Sequence, residues 1–222
     1  MEQDDTPRFE FRLFGNALCE TVEKALPDQA AKRITRENDI YLLSDAMTDV
    51  NLKIRDNKLN SKVLMRRQQG LECWHPHLDM AFPLAAGFLR EILFPLLQVQ
   101  PLLFNHHSYE LNEFLDLMAS TVDVQLVRVH KQRRHYRFHG CQVELSTLYV
   151  AERFYTRTVA LEAVDPLDLQ SSREELGLLG AENVNYNLGL KRLLRANPLL
   201  AEIFWEPTPI SVEFSTSNVV LS

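Results

Sequence analysis

The sequence predicts an α+β protein in which antiparallel strands close into an eight-stranded β-barrel, a tunnel with a charged interior and helices packed on the outside. Three observations predict it. Roughly eight segments alternate charged with apolar residues, which in an extended chain places the two kinds on opposite faces. A few other segments are apolar too densely for alternation and suit helices that cover the apolar face of a sheet. Closing the strands into a barrel then removes exposed edges and turns the charged faces inward.

The first strand is Arg8 to Phe14, where Arg8, Glu10 and Arg12 oppose Phe9, Phe11 and Leu13. Gly15-Asn16 breaks it, and residues 17–26 form a short amphipathic helix carrying Leu18, Val22 and Ala25, ended by Pro27. Residues 33–43 give a second strand, with Ile40 and Leu42 opposite Asp39 and Tyr41. The most basic stretch, residues 50–67, reads as a hairpin turning at Asp56-Asn57. Lys53 and Arg55 share one face against Leu52 and Ile54, and on the return Lys62, Leu64 and Arg66 oppose Val63 and Met65.

After Gly70 the period changes. Residues 83–97 read as a buried helix kinked by Pro95, and residues 109–118 repeat the helical spacing through Leu111, Phe114, Leu115 and Met118. Strands resume at 124–130, where Leu126, Arg128 and His130 share a face; a turn follows at Gln132-Arg133-Arg134, then residues 136–138. Gln142, Glu144 and Ser146 alternate with Val143, Leu145 and Thr147. In residues 156–164, Thr158, Ala160 and Glu162 share a face until Asp165-Pro166 ends the strand. Residues 172–178 and 184–194 are helical, the second with Lys191 and Arg192 near its C-terminus, which suits the helix dipole. A strand-like stretch at 211–221 has no partner that spacing identifies. We read residues 1–222 as one domain with a C-terminal extension from about 197.

At 222 residues and 45% hydrophobic content, the chain can bury a sizeable core. Its longest apolar tract, residues 80–99, is cut by Arg90 and Glu91 and fails as a membrane span. The acidic start lacks the features of a secretory leader, and three scattered cysteines argue against a disulfide framework or a CxxC metal site, so a cytoplasmic location is expected. The net charge of −6 is unevenly spread: residues 50–67 hold six Lys/Arg, and residues 128–137 hold five with no acid. Such segregation predicts a local anion site on an acidic body.

A barrel interior crowded with Arg, Lys and Glu is costly unless the charges neutralise one another and a ligand completes the pairing. Phosphate meets that demand, because guanidinium grips its oxygens in pairs and carboxylates hold the divalent cation that accompanies it.

The residues carrying this pattern resemble the CYTH or triphosphate tunnel metalloenzyme superfamily, whose opening strand reads ExExK. Here it reads Arg8-x-Glu10-x-Arg12, followed by basic pairs Lys53/Arg55 and Lys62/Arg66, and by Arg128, Arg133, Glu144 and Glu162 on later strands. The likeness runs from Arg8 to about Lys191. It implies a triphosphate bound along the tunnel axis and Mg or Mn held by Glu10, Glu144 and Glu162, which also help activate water. Phosphate would be gripped by Arg8, Arg12, Lys53, Arg55, Lys62, Arg66, Arg128, Arg133 and Lys191. The first motif glutamate is replaced by Arg8 and the lysine by Arg12; losing an oxygen ligand while gaining a cation should weaken metal binding there.

Two functions follow as expectations: a metal-dependent hydrolase of an inorganic or organic triphosphate, with nucleotide cyclisation as a variant, or a non-catalytic sensor of polyphosphate or nucleotide. The plainer alternative makes the bases a solvated outer face and the glutamates their ion-pair partners. His75, His77, His106 and His107 read as surface turns, and Trp74 and Trp205 as packing residues. Arg133, Arg134 and Arg137 interleave with Tyr136 and Phe138 as a single-stranded nucleic-acid patch would, but no nucleic-acid-binding motif accompanies them.

Overall fold

A computed structural model of the protein describes residues 6–26 and 31–197. The strand-like stretch at 211–221, Trp205 and Pro27 lie outside the described residues. Eight long strands close into a barrel in the order β1 (Arg8–Phe14), β10 (Phe154–Ala163), β9 (Cys141–Val150), β8 (Gln125–Phe138), β2 (Arg33–Leu43), β3 (Val50–Arg55), β4 (Lys58–Gln68) and β5 (Leu71–Ala81). β5 returns to β1, and every pairing is antiparallel. A separate two-stranded ribbon joins β6 (Leu84–Ala85) to β7 (Ser108–Tyr109).

The apolar faces point outward and are covered by helices, as the alternation predicts. Leu42, Leu52, Ile54 and Leu59 pack under a helical segment made of α2 (Ala86–Phe88), a wider π-turn at Leu89–Leu93 and α3 (Phe94–Leu97), together with α4 (Leu111–Ala119). Around the wall, Phe9, Phe11, Leu13, Val143, Leu145, Val159 and Leu161 pack under α1 (Asn16–Ala25) and α5 (Pro166–Glu175). Local chemistry sets the ends: Asp56 and Asn57 take positive φ in the β3–β4 turn. Pro166 starts α5 behind the Asp165 cap.

One end of the barrel differs. Tyr41, Leu43, Val127, Val129, Leu148 and Val150 lie on tunnel-facing positions yet are apolar or aromatic, and they pack against Tyr186, Leu190 and Leu194 of α6 (Tyr186–Ala196). α6 therefore closes that end. Gly189 permits its close approach, because a Cβ there would lie 2.3 Å from the Phe14 ring. Gly189→Ala is expected to lower the unfolding free energy by about 1–3 kcal/mol in urea titrations; an unchanged midpoint would show that Phe14 can yield without loss.

Three details depart from the alternation read in the sequence. β8 is a single strand through residues 125–138, so Gln132-Arg133-Arg134 is not a turn and Arg133 sits mid-strand. A register shift between Leu64 and Arg66 reverses the phase of β4, so Lys62 and Arg66 point to opposite faces. His75 and His77 lie within β5 rather than in a turn.

Candidate binding tunnel

Cross-strand register builds the site. On β1, Glu10 and Arg12 take tunnel-facing positions, and Glu10 stands opposite Glu162 of β10 on one side and Glu72 of β5 on the other. Lys53 stands opposite Asn60, and Lys62 opposite Asn51, so both strands of the basic hairpin send polar side chains inward. Arg133 stands opposite Ser146, two positions from Glu144. These residues line a cavity of about 370 Å³, with Glu10, Arg12, Lys53, Arg55, Lys62, Arg133, Glu144 and Glu162 around it, joined by Tyr41, Asp79 and Tyr186. Eight of the residues proposed from sequence thus meet there.

The others do not line it. Arg66, turned outward by the shift in β4, lies over the Phe9 ring at 5.1 Å. Arg128 stands 3.9 Å from the exposed Glu152, because the tunnel-facing set of β8 is Val127, Val129, Lys131 and Arg133. Lys191 donates to the Met47 carbonyl from α6 at 2.5 Å. Arg8 is half-buried opposite Trp74.

Most of the charge is internally matched. Asp39, fully enclosed, accepts two hydrogen bonds from Arg55, at 2.6 and 2.7 Å, and one from Lys131 at 2.5 Å, with Lys53 at 3.5 Å. Burial alone would raise its pKa, but Arg55, Lys131 and Lys53 hold the carboxyl well below the usual range. Glu37 bridges Arg55 and Arg133. Glu144 faces Arg133 at 3.3 Å and Arg12 at 3.4 Å and accepts from Ser146; burial pushes its pKa up, and those cations overcome it strongly. Glu10 accepts from Arg12 Nε at 2.8 Å and is likewise held low against burial by Arg12 and Lys62. Arg12 also lies 4.2 Å from the centre of the Tyr186 ring.

Against this network three features stand out. Arg133 Nε is a buried donor with no hydrogen-bond partner, and Arg133 lines the cavity. A buried polar atom left unpaired is costly, and an anion that reached Arg133 would satisfy it. Glu162 is the lining carboxylate for which no ion pair or hydrogen bond forms among the described residues. Lys53, with 22% of its side chain accessible, is pushed down by burial to about 8 despite Asp39.

Sequence reasoning missed Asp39, Lys131, Glu37 and Tyr186. The alternation places Asp39 and Tyr41 on one face, but a single acid in a strand carries no signal of the three cations that surround it.

A metal held by Glu10, Glu144 and Glu162 fits these residues poorly. Two of the three are engaged by guanidinium groups, and among the described residues no three His, Cys, Asp or Glu side chains converge as a metal centre needs. Glu72 is adjacent to Glu10 but bonded to Asn185 and Trp74. Among the described residues no helix is long and apolar enough to cross a membrane.

No family model matches the chain, and no curated protein does. Solved structures do. A conserved hypothetical protein from Pyrococcus furiosus is 14% identical, with a TM-score of 0.48 over 82% of this chain and 99% of that one. HpAC1 from Hippeastrum, an adenylyl cyclase candidate with a dominant triphosphatase activity, is 14% identical, with a TM-score of 0.42 over 77% of this chain and 88% of that one. The S. pombe RNA triphosphatase Pct1, solved in complex with the Spt5 CTD, is 9% identical, with a TM-score of 0.33 over 90% of this chain and 87% of that one. Each of these likenesses is one of fold alone.

Proposed function

We propose that the tunnel binds an inorganic or organic triphosphate, or a short polyphosphate. The observation that carries this reading is the convergence of Arg12, Lys53, Arg55, Lys62 and Arg133 on one cavity, with the Arg133 Nε donor left unpaired. A polyanion supplies an acceptor to that donor and offsets cations that the internal carboxylates only partly match. Because the carboxylates nearest the cations are already engaged, tripolyphosphate should bind in the presence of EDTA, measured by titration calorimetry. Binding only with added Mg or Mn would overturn this account of the donor set.

The tunnel's pH dependence follows from Lys53. Its pKa of about 8 means that affinity for tripolyphosphate should be steady below that value and weaken as pH rises through it, with bound phosphate moving the midpoint upward. The ligand-free protein should show the opposite trend in stability. The folded-state pKa lies below the model-peptide value of 10.5, so between the two the unfolded chain holds more protons and stability rises with pH. Affinity that does not change across this window would remove Lys53 from the phosphate contacts.

A second reading, hydrolysis of the triphosphate, is favoured by Glu162. A tunnel carboxylate without a cation of its own can accept a proton from water while Arg12, Lys53 and Arg133 stabilise charge on the departing phosphate. Mg or Mn dependence belongs to the same reading. If the wild type releases phosphate, with or without either metal, Glu162→Gln should reduce the rate at least about tenfold and leave tripolyphosphate binding nearly unchanged. No phosphate release under any of these conditions would leave the tunnel as a sensor.

A further inference from the structure

A second cavity, of about 610 Å³, lies between the β4–β5 turn, α5 and residues 179–183. It contains a charge that nothing described balances. Arg173, on the last turn of α5, is only 5% exposed and lies over the Phe11 ring at 4.1 Å. Its polar partners are neutral: Nη1 donates to Gln170 Oε1 at 3.2 Å and Nη2 to the Leu179 carbonyl at 3.5 Å. Its Nε is buried with no hydrogen-bond partner, and among the described residues no carboxylate comes within ion-pair distance. Burial lowers its pKa, with no opposing charge to offset the shift.

A helix C-terminus gives some support to a cation, but it does not account for a buried guanidinium with an unsatisfied donor facing an open cavity. The acids on that cavity have other partners, Glu182 in Arg192, and Glu72 in Asn185 and in Arg67, which lines the same cavity. Gly70 takes a left-handed conformation at φ +77° in the turn beside Arg173; a Cβ there would make an ordinary 3.7 Å contact with Nη1, so the backbone angle rather than space favours glycine. Leu179 and Ala181 supply an apolar wall beside the charge.

We propose that this cavity is a binding site for a small organic anion, with its carboxylate or phosphate against Arg173 and its apolar body against Leu179 and Ala181. The site is separate from the tunnel and stands whether or not the tunnel binds triphosphate.

The test is a titration of the intact protein with phenyl phosphate and, in parallel, benzoate, followed by amide NMR. Saturable shifts are expected at Gly70, Leu71 and Ala181 with at least one probe. The response to the two probes distinguishes phosphate from carboxylate as the preferred head group. Arg173→Gln should weaken the apparent affinity on the order of tenfold or more, as expected for loss of a charge-assisted contact. Arg133→Gln, in the tunnel, should leave it unchanged. Absence of shifts at those three amides with both probes would overturn the proposal, as would equal affinity in Arg173→Gln or loss of the shifts in Arg133→Gln. Should Arg173→Gln fail to fold, the wild-type titration together with Arg133→Gln still decides.

Discussion

Replacing Asp39 with asparagine is expected to cost about 3–5 kcal/mol of unfolding free energy, the usual consequence of removing one partner from a buried charged cluster. Asp39 is fully enclosed and serves Arg55, Lys131 and Lys53 together. Asparagine keeps the shape and removes the only charge that all three share, leaving Arg55 with Glu37 and the two lysines without a carboxylate. Lys131 offers partial relief: burial has lowered its pKa, and it can lose its proton to the solvent more readily than a surface lysine. The loss should therefore shrink as pH rises. Urea titrations at neutral and alkaline pH check this, and a cost below about 1 kcal/mol at neutral pH would show that Asp39 does not hold the cluster. Tripolyphosphate should restore part of the stability if it occupies the same tunnel, since a ligand bound only by the folded state adds to its stability.

The alternation in β1, β3 and β10 was sufficient to place Glu10, Arg12, Lys53, Arg55 and Glu162 inside and their apolar neighbours outside, because period two is strict wherever a strand is regular. It failed where the backbone breaks that period or where the interior changes character. The shift in β4 sends Arg66 outward, and nothing in Leu64-Met65-Arg66 announces it. On β8 the rule that charge points inward selected Arg128 and His130, whereas the closed end of the barrel is apolar and takes Val127 and Val129 because α6 fills it. Glu10 was legible as a tunnel residue but not as an ion-pair partner, since its proximity to Arg12 Nε depends on side-chain conformations within one strand. The meeting of Arg133 and Tyr186 at the cavity could not be read at all: they are 53 apart in sequence and come together only when α6 closes the barrel.

Arg133→Gln is expected to weaken tripolyphosphate binding by about 1.5–3 kcal/mol, roughly 10- to 150-fold, while leaving the barrel folded. Arg133 stands between Glu37, at 3.2 Å, and Glu144, at 3.3 Å, and its buried Nε has no partner within the protein. Both acids keep another cation after the change, Arg55 for Glu37 and Arg12 for Glu144, so the substitution removes a phosphate contact without stranding a carboxylate. Arg133→Lys should fall between the two, because it keeps the charge but loses the planar fork that reaches two oxygens at once. Arg66→Gln and Arg128→Gln are the informative comparisons. Both residues belong to the basic stretches that first pointed to an anion, yet one lies over Phe9 on the outside and the other stands beside exposed Glu152. Screened surface charge changes affinity little, so each should alter binding by less than about 1 kcal/mol. If Arg128→Gln costs as much as Arg133→Gln, the anion extends to the barrel rim; if Arg133→Gln costs nothing, the unpaired Nε does not mark the site and the tunnel reading fails.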